Sequence, residues 1–220
     1  DSAITQYMSQ DIYKINHYVK YNRLKYGANP HQRDACYLQK IKSTDDIYNY
    51  VNSHFTVLNG NPGYINYLDA YGCWNLVYDL GISLKRVVAT SFKHTSPAGV
   101  STNSNGLTEN EMKTYNLVPE KLVNLGRQSS AFLTYIRARN CDPKSSFGDF
   151  IGINTIVDIS LAMYLKSCVS DGIIALDCTE EALDILKGKK NGNYVILKAS
   201  SIRLNKVSFK DYGDFSLSQE

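Results

Sequence analysis

Lys93 and His94 are two adjacent proton-handling side chains at the end of an apolar segment, within Ser91-Phe92-Lys93-His94-Thr95-Ser96-Pro97-Ala98-Gly99. Imidazole titrates near neutrality and can take a proton from a weakly nucleophilic amine during its attack. A neighbouring ammonium can stabilise the oxygen anion that develops on an acyl group. Together they suit transfer of an acyl group to an amine. The β-branched and aromatic residues Val87, Val88 and Phe92 predict a strand over 87–92, and Pro97 with Gly99 predict a turn directly after it. The pair then falls at a strand's carboxyl end, where open parallel sheets bind ligands. Successive strand residues face opposite sides, so both side chains reach one substrate only if the strand ends or distorts there. The plainer alternative is a surface Lys beside a hydrogen-bonded His.

Four other segments carry polar groups in ligand-loop settings. Lys25 and Tyr26 open the run Lys25-Tyr26-Gly27-Ala28-Asn29-Pro30-His31-Gln32. A cation and an aromatic hydroxyl side chain are what a phosphate and a heterocycle require. The alternative is a turn at Asn29-Pro30 with Tyr26 in the core. Asn59-Gly60-Asn61-Pro62-Gly63 joins a predicted strand to a predicted helix, and its glycines permit close backbone approach to a ligand at the helix start. It has neither the Lys-Ser/Thr of a P-loop nor the spacing of a dinucleotide fingerprint, and a tight turn fits it equally well. Ser146-Phe147-Gly148-Asp149-Phe150 and Ser170-Asp171-Gly172 precede or enter apolar runs, where an Asp-Gly pair also reads as a turn.

The positioning elements alternate. Strands are predicted at 36–38, 56–58, 87–92, 172–176 and 193–197, and helices near 9–19, 44–52, 64–80, 119–139, 158–167 and 180–189. Such alternation favours a sheet built from βαβ units. The 64–80 helix is the clearest, with Ile65, Leu68, Gly72, Cys73, Leu76, Val77 and Leu80 predicted as one buried stripe and Gly81 as its stop. Thr179 is placed to cap the helix after it, whose acidic start and basic finish match the helix dipole. The tail 211–220 shows no recognisable element.

Composition narrows the class. The chain has 220 residues, 43% hydrophobic content and a net charge of +3, which describes a soluble globular protein with room for a substantial core. So small a net charge does not argue for nucleic acid, and the many tyrosines lack the Lys/Arg stripe of an RNA binder. It is compatible with anionic small molecules concentrated in a cleft. The five cysteines are scattered with no Cys-x-x-Cys pair, and are expected to be buried free thiols of a reducing compartment. No segment reads as a signal peptide or a membrane span, so cytosol is the expected location.

Five blocks in order carry a resemblance: LKYGANPHQ (24–32), LNGNPGYIN (58–66), SFKHTSPAG (91–99), SSFGDF (145–150) and VSDGIIA (169–175). They resemble the transformylase portion of the bifunctional AICAR transformylase/IMP cyclohydrolase family, its eukaryotic branch more than the bacterial one. The resemblance covers the amino-terminal half of the transformylase domain. It implies an α/β fold, a three-layer α/β/α sandwich that is cytidine-deaminase-like without zinc. The His-x-Glu and Pro-Cys-x-x-Cys ligands of a zinc deaminase are absent from the sequence. The implied layout is a linker at 1–23, the first transformylase subdomain at 24–200, and at 201–220 a connection toward a second subdomain.

The implied reaction moves the formyl group of 10-formyltetrahydrofolate to the 5-amino group of AICAR. By motif, His94 is the general base and Lys93 stabilises the formyl oxygen. Lys25, Tyr26, Asn59, Gly148 and Asp171 bind AICAR, and Phe147 and Lys144 line the folate pocket. Lys25 stands where many relatives have Arg and lacks its two-pronged fork; Lys144 stands where some have Met. The resemblance also implies a homodimer with sites at its interface, a cyclohydrolase activity in a domain absent here, and weak or no activity for this span alone. The competing expectation is a noncatalytic nucleotide-binding or assembly module that retains the AICAR pocket.

Overall fold

The computed structural model describes residues 17–24, 26–28, 35–41, 55–103, 105–117, 128–199, 208–212 and 215–219. They belong to two compact units, 1–53 and 54–220. In the first, β1 (His17–Arg23) pairs antiparallel with β2 (Cys36–Ile41), with a register irregularity between Lys20 and Asn22. A strand thus occupies 17–23, where the sequence suggested the end of a helix. The rest of that expected helix, and the one at 44–52, lie outside the described residues.

The second unit is built on a six-stranded sheet of order β3-β8-β7-β6-β4-β5. Its strands are β3 (Phe55–Asn59), β4 (Val88–Lys93), β5 (Ser96–Thr102), β6 (Asp149–Val157), β7 (Ser170–Cys178) and β8 (Val195–Ala199). β6, β7 and β8 run parallel, whereas β3 is antiparallel to β8 and β4 to both β6 and β5. The sheet is therefore mixed rather than all βαβ. A hairpin replaces one crossover: Ser96 to Gly99, expected as a turn, begins β5 instead. Pro97 is tolerated because β5 is an edge strand, and the register shifts beside it between Ser91 and Phe92.

Helices cover both faces, giving three layers. α1 (Tyr64–Leu84) packs Ala70, Cys73, Trp74 and Val77 on Phe92, Phe150, Ile174, Val195 and Leu197. On the opposite face α3 (Ser130–Asn140), α4 (Ile159–Ser167) and α5 (Glu180–Lys187) pack on Ile151, Ile153, Ile173, Ala175 and Ile196. The neighbours Phe150/Ile151, Ile173/Ile174 and Ile196/Leu197 divide between the two clusters, as the period of two requires. A short α2 (Glu109–Thr114) precedes α3. The described part of the expected 119–139 helix begins at Ser130, with Ser129 Oγ accepting from Phe132 N–H at 3.1 Å. Asp158 and Thr179 cap α4 and α5 in the same way.

Two helix details depart from the sequence reading. α1 runs past Gly81 to Leu84 and ends on Lys85 in the left-handed region at φ 52. Its buried face is Asn66, Asp69, Ala70, Cys73, Trp74 and Val77, while Leu68 stays 40% exposed. The apolar residues surround this helix, so their spacing does not define one face. The tail also holds a hairpin, β9 (Ser208–Tyr212) with β10 (Phe215–Gln219). All five thiols are free, but only Cys73 is buried and Cys141 is exposed. Among the described residues no helix is long and apolar enough to cross a membrane.

Candidate active site

Lys93 ends β4 and pairs with Ser96, leaving His94 and Thr95 as a two-residue turn with φ of 50 and 66. Both central residues at positive φ define the primed turn that matches the twist of a hairpin. Neither is Gly, Asn or Asp, the residues that adopt this conformation readily, and Thr is β-branched. Holding each there costs about 1–3 kcal/mol. The strand does end at the pair, as joint action of Lys93 and His94 requires.

The sequence placed this pair at the carboxyl end of a parallel sheet, and the structure corrects that. Phe92 pairs with Phe150, Asp149 with Ser170, Gly172 with Val195 and Asn59 with Ile196. The carboxyl ends of β3 and β4 thus meet the amino ends of β6, β7 and β8. The corner is made by antiparallel neighbours, so the switch-point rule for parallel sheets does not account for it.

Lys93 Nζ donates to the Gly148 carbonyl at 2.6 Å and lies 3.7 Å from Asp171 Oδ2. Gly148 is at φ +75, and a Cβ there would fall 2.9 Å from Lys93 Nζ. A side chain at that position would therefore meet both backbone strain and the ammonium. Asp171 also accepts from Lys190 Nζ at 2.7 Å through Oδ1, so its carboxylate is shared by two cations. Lys93, Gly148 and Asp171, chosen from three separate blocks, converge, with the exposed His94 on the adjoining turn.

The other expected residues are placed differently. Asn59 spends its amide N–H groups within the fold, donating to Gly192 O at 3.0 Å and Tyr194 O at 2.8 Å. Phe147, beside Gly148, is 65% exposed, and Lys144 is exposed in the same segment. Tyr26 is 50% exposed in the 1–53 unit. Lys25 lies outside the described residues.

Beneath the corner runs a buried polar network that the sequence reading missed. Asp149, fully buried, accepts from Ser91 Oγ at 2.7 Å, Tyr135 OH at 2.8 Å and Arg139 Nη1 at 2.8 Å. Burial raises the Asp149 pKa, and the Arg139 charge opposes that rise. Ser91 Oγ also lies 2.8 Å from Ser146 Oγ. The network anchors the residue after Gly148. A second missed group is Lys189, which donates to Ser170 Oγ at 2.6 Å and lies 4.3 Å from the Tyr194 ring centroid. Desolvation lowers its pKa to about 8.

The third is Asp69 of α1, whose Oδ1 accepts the Thr95 N–H at 2.7 Å and which is 5% exposed. Desolvation raises its pKa, opposed by the Thr95 hydrogen bond and the charges of His94 and Lys93. Asp69 is the one charged residue between Tyr64 and Tyr78, a signal that could have marked it. A cavity of about 820 Å³ opens at the far end of β4, lined by Gly81, Lys85, Arg86, Val87, Asn103 and Asn105. It lies at the opposite end of β4 from the Lys93 turn and includes none of the site residues singled out in the sequence.

A family model described as AICARFT/IMPCHase bienzyme matches residues 1–220. The bifunctional purine biosynthesis protein PurH of Elusimicrobium minutum is 31% identical over 198 residues, covering 90% of this chain and 30% of that protein. The PurH proteins of Brachyspira hyodysenteriae and Clostridium botulinum are each 29% identical, over 91% and 87% of this chain and 35% and 32% of their own lengths. The chain thus spans about a third of the curated relatives it matches.

Proposed function

Because the chain belongs to the AICARFT/IMPCHase bienzyme family, we propose that its Lys93 corner takes part in formyl transfer from 10-formyltetrahydrofolate to the 5-amino group of AICAR. FAICAR and tetrahydrofolate are the products. The observation that carries this reading is the convergence of Lys93, Gly148 and Asp171 beside the His94 turn. The 5-amino lone pair is delocalised into its ring, which makes it a poor nucleophile. His94 takes its proton as nitrogen attacks the formyl carbon, and the Lys93 ammonium stabilises the resulting oxyanion. The bond from that carbon to N10 of the folate then breaks, and N10 receives a proton.

Asp171 and the backbone of Gly148 hold AICAR, with Asn59 as a further contact; Lys25 and Tyr26 are read as AICAR-binding residues of the 1–53 unit. The Nδ2 bonds of Asn59 leave its Oδ1 for that purpose. Phe147 and Lys144 flank the folate. The reaction needs no resident metal. The functional unit is a cytosolic homodimer with sites at its interface, and residues beyond this span complete the pocket. Cyclohydrolase activity belongs to a part of the parent protein outside it.

Formyl transfer by the intact parent enzyme tests the reading. His94→Ala is expected to lower kcat by about 10²–10⁴-fold with AICAR binding retained. The isolated 220-residue chain is expected to turn over weakly or not at all. An intact enzyme that binds AICAR but shows no formyl transfer would instead mark a noncatalytic nucleotide-binding module.

A further inference from the structure

We propose that Asp69 is a positioning residue: reaching from α1, its buried carboxylate clamps the His94–Thr95 turn and so fixes where the His94 imidazole stands. The turn needs such a clamp. A two-residue primed turn is normally held by Asn-Gly or Asp-Gly, whose backbone tolerates positive φ. Here His94 and Thr95 stand at φ 50 and 66. Such conformations persist only when their surroundings over-determine them.

Asp69 supplies that constraint. Its Oδ1 accepts the Thr95 N–H at 2.7 Å, a bond that is stronger than a neutral one when the carboxylate is ionised. The helix is brought within reach by two missing side chains. A Cβ on Gly72 would fall 2.6 Å from Phe92 Cε1, and one on Gly152 would fall 2.6 Å from Cys73 Cβ. α1 therefore lies close against β4 and β6. An isolated carboxylate on an apolar helix is costly to bury unless it is hydrogen-bonded. Asp69 bonds to backbone rather than to a reacting atom, which makes its part in the reaction indirect.

For catalysis the inference rests on His94 being the proton acceptor of the proposed formyl transfer; for the turn it does not. Two measurements separate these. Amide hydrogen exchange at Thr95 is followed in the 220-residue chain, and formyl transfer in the intact parent enzyme. Asp69→Ala is expected to speed Thr95 exchange at least about tenfold, as a hydrogen bond to a charged group is lost. It should lower kcat about 10²-fold, the scale of a small misplacement, while KM for AICAR changes less than about threefold. Asp69→Asn keeps an acceptor and should hold kcat within about fivefold of wild type. Adding Thr95→Gly to Asp69→Ala should regain at least about tenfold in kcat, because Gly takes positive φ freely.

Unchanged Thr95 exchange in Asp69→Ala overturns the clamp, as do equal losses of kcat in Asp69→Asn and Asp69→Ala. If Asp69→Ala fails to fold, Asp69→Asn decides alone: the weaker neutral acceptor should quicken Thr95 exchange about threefold, and unaltered exchange overturns the proposal. A wild-type enzyme without turnover would overturn the formyl-transfer reading, and exchange would still judge the clamp.

Discussion

Asp149 is a carboxylate with no exposed surface that is held by Ser91, Tyr135 and Arg139. Removing one partner of a buried charge pair leaves the other uncompensated, so Asp149→Ala should cost about 3–5 kcal/mol. Denaturant unfolding checks this; a loss below about 1 kcal/mol, the value of an exposed pair, would contradict it. Lys189 gives a pH prediction. Its pKa is lowered by desolvation from 10.5 to about 8, so the folded state favours the neutral amine. That contribution is present above pH 10.5 and lost as pH falls through about 8. Stability measured across this interval should show a rising component that Lys189→Met removes, and no difference between the two proteins would contradict it. These groups were hard to read in the sequence. Lys93, His94, Gly148 and Asp171 lie in blocks whose composition already suggests a ligand loop, whereas Asp149, Asp69 and Lys189 gain their meaning from burial. Burial depends on which helix face turns inward.

The same limit operates on elements. Strands rich in Val and Ile, the Thr179 cap, and the helix preceding β4 were legible because local propensity and packing agree there. Strand direction was not. Alternating strands and helices suggested parallel crossovers, but His94 and Thr95 form a tight turn without the Gly or Asn that signals one, and Pro97 disguised β5. Its edge position removed the usual objection to proline, which nothing local could reveal. The buried face of α1 was equally hidden, because apolar residues ring the helix. The contact between α1 and β6 offers a test at this scale. Gly152 leaves room for Cys73 Cβ and Thr90 Cγ2, which a new Cβ would approach to 2.6 and 3.1 Å. Gly152→Ala should therefore cost about 1–3 kcal/mol by overpacking, seen as a lowered Tm. A stability equal to wild type would show that the helix moves away without penalty.

Across the whole molecule, the three layers and the family were legible from five ordered blocks, since these preserve chemistry that composition alone does not. The mixed sheet explains how residues so distant in sequence share one corner: antiparallel β3 and β4 bring their last residues against the first residues of β6, β7 and β8. The proposed acyl transfer requires the imidazole to meet the bound amine and the ammonium to meet the formyl oxygen. The most direct measurement is a structure of the intact parent enzyme with AICAR bound. The account predicts the 5-amino nitrogen within about 3.2 Å of a His94 ring nitrogen, with Asp171 and Gly148 touching the same nucleotide. AICAR bound elsewhere, with its amine beyond reach of His94 even through one water, would contradict it.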